Sequence, residues 1–189
     1  MGDPMDTPQE LFLTKDPEAN ALVADEPLAF LIGLVLHQQI PTEKAFHSPL
    51  DLRQRLGKDL DVTDIAAMDP DQLEQVFKEK PALHRFPASM AKRVQGVCDH
   101  IAENYNGSVR ALWDGLRDAD DLMDRLLAIP GFGEYKARIY IGVLGRRFGV
   151  QPSGWESLAP TWPSIADVGS LEDLADLSVR KKAWKESER

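Results

Sequence analysis

The longest apolar run in the chain, Leu28 to Leu36, lies between Pro27 and the polar triplet His37-Gln38-Gln39. Unbroken hydrophobicity over so short a stretch predicts a helix buried on all sides, starting near Glu26 with proline in its first turn. It has about half the ~20 residues that a membrane-spanning helix needs. Beyond Pro41-Thr42 a second helical stretch runs through Ala45, Phe46 and Leu50 to Leu56, with Gly57 placed to cap it. Shorter helices are expected over Val62 to Met68 and Asp71 to Lys78, separated by the turn at Asp69-Pro70. Ser89 is placed to cap a longer helix in which Met90, Val94, Val97, Ile101 and Tyr105 recur at three- and four-residue steps, up to Asn106-Gly107. Val109 to Leu116 reads as another helix, and Asp120-Asp121 are favourable acids at the start of one carrying Leu122, Met123, Leu126 and Leu127. Nothing alternates like a strand pair, so the fold class is all-α. No internal repeat or low-complexity tract interrupts it.

The segment Leu127-Ala128-Ile129-Pro130-Gly131-Phe132-Gly133 joins that helix to the periodic stretch Glu134 to Arg147. Pro130 stops the first helix, while Gly131 and Gly133 permit positive φ and let a ligand approach the bare backbone. The N–H groups that open the second helix would face a phosphate at the positive end of its dipole. Such a turn holds a phosphodiester without reading sequence. The same Pro-Gly-x-Gly pattern also serves as a plain tight turn between helices, and alone it does not separate the two.

Composition changes this picture in three places. A formal charge of −9 over 189 residues disfavours nucleic acid, because phosphate neutralisation by Lys and Arg supplies most non-specific affinity. Base nevertheless gathers locally, at Lys80, His84, Arg85, Lys92 and Arg93, at Lys136, Arg138, Arg146 and Arg147, and from Arg180 to Lys185. One basic face is enough for binding, although each cluster taken singly is equally a solvated helix surface. Cys98 is the only cysteine, which excludes an intrachain disulfide and any four-cysteine zinc or iron-sulfur site made by this chain. His37, His47, His84 and His100 lack metal-binding spacing, so no metal cofactor is expected. No secretory signal pattern precedes the apolar run, which makes the cytoplasm the expected location. Met1 to Pro4 reads as an added leader, with Met5 the natural start.

Ile129-Pro130-Gly131-Phe132-Gly133, followed by Lys136-Ala137, resembles the hairpin of the helix-hairpin-helix (HhH-GPD) DNA glycosylase superfamily, which includes endonuclease III, adenine glycosylase and alkyladenine glycosylases. Ser89 to Val94 and Tyr105-Asn106-Gly107 resemble the helix that precedes that hairpin. Leu36 to Ile40 resembles its glutamine-bearing helix end beside the flipped base. Gln38-Gln39, Ala82 to Pro87 and Gly149 to Trp155 are similar to elements of a bacterial subgroup without an iron-sulfur cluster. The resemblance covers residues 26–156.

That resemblance implies a two-lobed, all-α fold over residues 26–160, with residues 1–25 packed on or near it and residues 161–189 partly helical with a basic end. Double-stranded DNA carrying a damaged or mismatched base would lie across the mouth, the protein acting as a monomer and no membrane being involved. Pro130, Gly131, Phe132, Gly133 and Lys136 would hold one strand. His37, Gln38, Gln39, Tyr135 and Trp155 would line the pocket for the extruded base, since the glycosidic bond is unreachable inside the stack. Amides at a buried helix end also do no more than satisfy backbone groups, and either aromatic is equally packed core. No iron-sulfur cluster is implied; an alkali cation at the hairpin carbonyls is the one ion the resemblance admits.

The chain departs from the superfamily at its chemistry. The aspartate expected after the second hairpin helix is missing, and aligning Phe148-Gly149 with the family's helix end puts Glu156 in its place. Glu43 is a second candidate acid, with a plain alternative as a dipole-favoured charge in a first helical turn. Tyr135 stands where bifunctional members carry a Schiff-base lysine, and Lys136 is turned about 100° around the helix from it. A monofunctional N-glycosylase is therefore the leading expectation. A catalytically silent module binding damaged or distorted DNA, and a protein-protein adaptor that keeps the fold, remain open beside it.

Overall fold

A computed structural model of the chain describes residues 8–188, so Met1 to Met5 lie outside the described residues. Among those residues the structure is helical without strands. The α-helices are α1 (Pro17–Asp25), α2 (Pro27–Leu36), α3 (Thr42–Leu56), α4 (Val62–Ala67), α5 (Pro70–Lys78), α6 (Pro87–Tyr105), α7 (Ala119–Leu127), α8 (Glu134–Arg147), α9 (Trp155–Leu158) and α10 (Leu171–Ser187). No single helix among them is long and apolar enough to cross a membrane.

Local chemistry explains most of the boundaries. Asp16, Asp61, Asp69 and Asp118 each turn a carboxylate back onto a first-turn N–H of the helix that follows, at α1, α4, α5 and α7. Gly57 and Asn106 close α3 and α6 in the left-handed conformation. Two boundaries differ from the sequence reading. Helix α6 begins at Pro87 rather than after Ser89, because a proline's fixed φ and missing N–H suit the first helical position and Phe86 takes the cap. Val109 to Leu116 is not an α-helix; Val109–Trp113 forms a 3-10 turn that stops at extended Asp114 and left-handed Gly115. Helix α1 was not foreseen in the pattern, yet it buries Ala19, Leu22 and Val23 and packs on α2 and α3.

Helix α2 is the centre of the molecule. It packs against α1 and α3 and also touches α6 and the 3-10 turn. An aromatic ladder carries its contacts toward the hairpin helix: Phe30 stacks on Phe46 and on Tyr140 of α8, with centroids 5.6 and 5.4 Å apart, and Trp113 meets Tyr140 edge-on at 6.1 Å. Helices α4, α5 and α6 form one packed group, while α7, α8 and α9 form another. The end of α2 thus faces the start of α8.

Candidate active site

The hairpin between α7 and α8 is a turn anchored at both ends by core side chains. Ile129 and Phe132 are buried, and the Phe132 N–H donates to the Ile129 carbonyl at 3.0 Å. Pro130 and Gly131 occupy the two middle positions, with Gly131 at φ +80, the value a type II turn requires of its third residue. Pro130, Gly131 and Gly133 are left exposed at the tip. Gly133 departs from expectation: it caps α8 in an extended conformation, φ −98 and ψ 174, which any residue can adopt. Open space surrounds the position where its Cβ would stand.

The end of α2 is held from a distant loop. His84, buried to 2% exposure, donates its Nε2–H to the carbonyls of Leu36 at 3.1 Å and Gln38 at 3.0 Å, and its Nδ1 accepts the Phe86 N–H at 2.9 Å. That pattern fixes one neutral tautomer, and burial pushes its pKa down. The chain then turns sharply, Gln39 lying at φ +57. The Gln38 amide reaches Val35 O and Met90 Sδ, while its oxygen accepts from Arg93 at 3.4 Å.

Between these two elements lies a cavity of about 450 Å³, within the range of small-ligand sites. His37, Gln38, Gln39 and Ile40 from the end of α2 line it, opposite Gly131, Gly133, Tyr135 and Lys136, and Lys181 of α10 closes one side. The Lys136 Nζ donates to the Val35 carbonyl at 2.9 Å. Burial, with Arg93 nearby, holds its amine down to about 8. Lys181 is likewise lowered, by burial and by Lys185. His37 shares a hydrogen bond with Thr42 Oγ1 at 3.0 Å, and burial reinforced by Lys181 and Lys136 depresses it to about 4, so its ring is neutral at pH 7. Tyr135 is 59% exposed and stacks flat on Trp162, centroids 5.1 Å apart.

The remaining sequence candidates fall elsewhere. Trp155 does not line the cavity; its ring lies on Gly145, so close that a Cβ there would stand 2.2 Å from it. Gly145 is about 15 Å along α8 from Tyr135, and Trp155 is part of the core packing. Phe132 is likewise an anchor under the turn rather than a surface contact. Glu156 is exposed on α9, which runs back along α8 from Gly145 to Arg138, where the guanidinium meets the Ser157 and Leu158 carbonyls. Glu43 lines a separate hollow with Thr14, Asp16 and His47 and pairs with Lys15 at 3.7 Å. Neither acid is among the cavity-lining residues. Among the described residues no cluster of His, Cys, Asp or Glu is grouped to hold a metal.

Three contributors were missed in the sequence. His84 lies in the Ala82 to Pro87 element, which the resemblance marked without a role. Lys181 sits in the basic run Arg180 to Lys185, where nothing singled it out. Trp162 carried no signal, because its partner Tyr135 is 27 positions away by number and the chain between folds back only in three dimensions.

Comparison with protein families gives a match to the HhH-GPD superfamily base excision DNA repair protein model over residues 32–182, from within α2 to beyond Lys181. Neither the curated proteins nor the solved structures gave a match.

Proposed function

The chain belongs to the HhH-GPD superfamily of base excision DNA repair proteins, and on that premise we propose that it is a monofunctional DNA N-glycosylase acting on an extruded altered base. The DNA repair role and the DNA substrate follow from the family. The finer reading rests on one observation: the glutamine-bearing end of α2 and the first turn of the hairpin helix line the same cavity. A hairpin grips the backbone of one strand at Gly131 and Gly133, and the cavity beside it receives what swings out.

The first-turn N–H groups of α8 have no intrahelical acceptor, which suits them to a phosphate at the helix N-terminus. The hairpin also fits a loosely held alkali cation: the Ile129 carbonyl spends one lone pair on Phe132 and keeps the second. Such a cation would supply charge for a phosphate and nothing more. Glu156 is the acid proposed to steady the sugar as positive charge develops on it. It need not line the base cavity, because the sugar of an extruded nucleotide stays at the mouth. Glu43 is the weaker candidate, being paired with Lys15 in another hollow.

A second reading, a catalytically silent module that binds altered DNA, is favoured because no carboxylate among the described residues lines the cavity. The two are separated by incubating duplexes that each carry one altered base and measuring free base by mass spectrometry. Release supports the enzyme; binding without release supports the silent module.

A further inference from the structure

We propose, resting on the base-excision reading above, that the cavity takes a carbonyl-rich base that departs as an anion, a deaminated or oxidised base, and rejects a cationic alkylated purine. The geometry points to this through the sign of its lining. Lys136 lines it from α8 and Lys181 from α10, with Gln38 and Gln39 supplying amides and His37 a neutral ring, and among the described residues no carboxylate lines the cavity. Arg93 stands behind Lys136 and holds the Gln38 oxygen at 3.4 Å. Every charged group that lines the cavity among the described residues is therefore positive.

Among the described residues no carboxylate forms an ion pair with either amine. The Lys136 ammonium gives one hydrogen to Val35 at 2.9 Å and keeps two for a ligand. Burial and Arg93 lower the Lys136 amine, and burial and Lys185 lower that of Lys181. A half-buried ammonium in that condition favours whatever brings negative charge or carbonyl oxygen to it. A base already carrying positive charge would bring the opposite.

The two kinds of base also leave differently. A cationic alkylated base departs neutral and gains nothing from an ammonium. A neutral base departs with the electron pair of the broken bond between its ring nitrogen and C1′. Water then adds to C1′, and the proton that water gives up balances the proton that the base anion takes. Charge develops on the base as the bond lengthens, so an ammonium at its carbonyl or ring nitrogen binds most tightly in the transition state. An amine held near 8 is also a stronger proton donor to that anion than an ordinary lysine.

The test is single-turnover release from otherwise identical duplexes carrying uracil, hypoxanthine, 8-oxoguanine, 5-hydroxycytosine, 7-methylguanine or 3-methyladenine, each rate divided by the uncatalysed loss of that base. At least one carbonyl-rich base is expected to show an enhancement about 100-fold above either alkylated purine. Lys136→Met and Lys181→Met, shown to be folded by circular dichroism, should each erase most of that preference, while Lys136→Arg keeps it by keeping the charge. Preferential release of an alkylated purine overturns the inference and leaves the base-excision reading standing. So does an unchanged preference in both folded methionine variants. Release of no base from any duplex overturns the base-excision reading and the inference with it.

Discussion

Lys136 reaches back across 101 positions of sequence to place its Nζ 2.9 Å from the carbonyl of Val35, in the last turn of the buried helix α2. This contact ties the hairpin helix to the glutamine-bearing helix end and sets one wall of the cavity. It holds a charge in a place where charge is costly. The cost is readable in the depression of Lys136 from 10.5 to about 8, with Arg93, Lys181, His84 and the neutral His37 as its ionisable neighbours.

Stability should respond to that depression on the alkaline side. Between pH 8 and 10.5 the unfolded chain keeps a proton that the folded protein has lost, so wild-type stability gains as pH rises through this window, by on the order of 3 kcal/mol at most. Lys136→Met lacks the gain. Thermal unfolding of both proteins across this range should show the wild type improving relative to the variant; parallel curves would contradict the placement of the amine.

His37 acts in the same sense on the acid side, its stability contribution also rising with pH. Its folded pKa of about 4 lies below the ordinary 6.5, so the stability it contributes is full above 6.5 and drains away as pH falls toward 4. The lowered pKa of His84 acts in the same direction. His37→Gln should lose less stability than wild type between pH 6.5 and 4, measured by melting temperature. Identical losses would place His37 in solvent.

The two hairpin glycines should separate. Gly131 at φ +80 needs the left-handed region, so Gly131→Val is expected to cost about 1–2 kcal/mol and to lower Tm. Gly133 is extended and has open space at its Cβ position, so Gly133→Val should fold with little change in Tm. If a phosphate approaches its backbone, that same variant should weaken duplex DNA binding about tenfold. Unchanged affinity would remove the Gly133 backbone from the interface.

Tyr135 offers one face to Trp162 and the other to solvent. A base stacking on the free face should perturb Trp162 fluorescence on binding of a duplex with an altered base, and Trp162→Phe should abolish that change. Tyr135→Ala should weaken the complex by about 1–3 kcal/mol. A signal that survives in Trp162→Phe would come from another tryptophan and defeat the assignment.

The hairpin and the helix end at His37-Gln38-Gln39 were legible because each is made by contiguous residues: a turn needs its own Pro and Gly, and an apolar helix announces its end where polarity begins. The site between them is not contiguous. His84 holds a helix end 46 positions upstream, Lys181 enters from the last helix, and Trp162 meets Tyr135 only after the chain folds back along α8. Trp155 misled for the same reason, since sequence shows an aromatic near the hairpin helix but not that Gly145 leaves room for its ring. The pattern around Gly133 allowed a positive φ there, whereas the structure holds that residue extended with open space at its Cβ position.

The claim that this protein releases a base without cutting the strand is tested most directly by one assay. A duplex carrying a base that the protein excises is incubated with excess enzyme, divided, and resolved on a denaturing gel with and without hot alkali. An intact strand is expected in the untreated half and a break at the altered base after alkali, because Tyr135 stands where a Schiff-base lysine would be needed and Lys136 is proposed as a charged donor. A break in the untreated half, trapped as a covalent protein–DNA adduct by borohydride, would contradict it and make Lys136 a nucleophile instead.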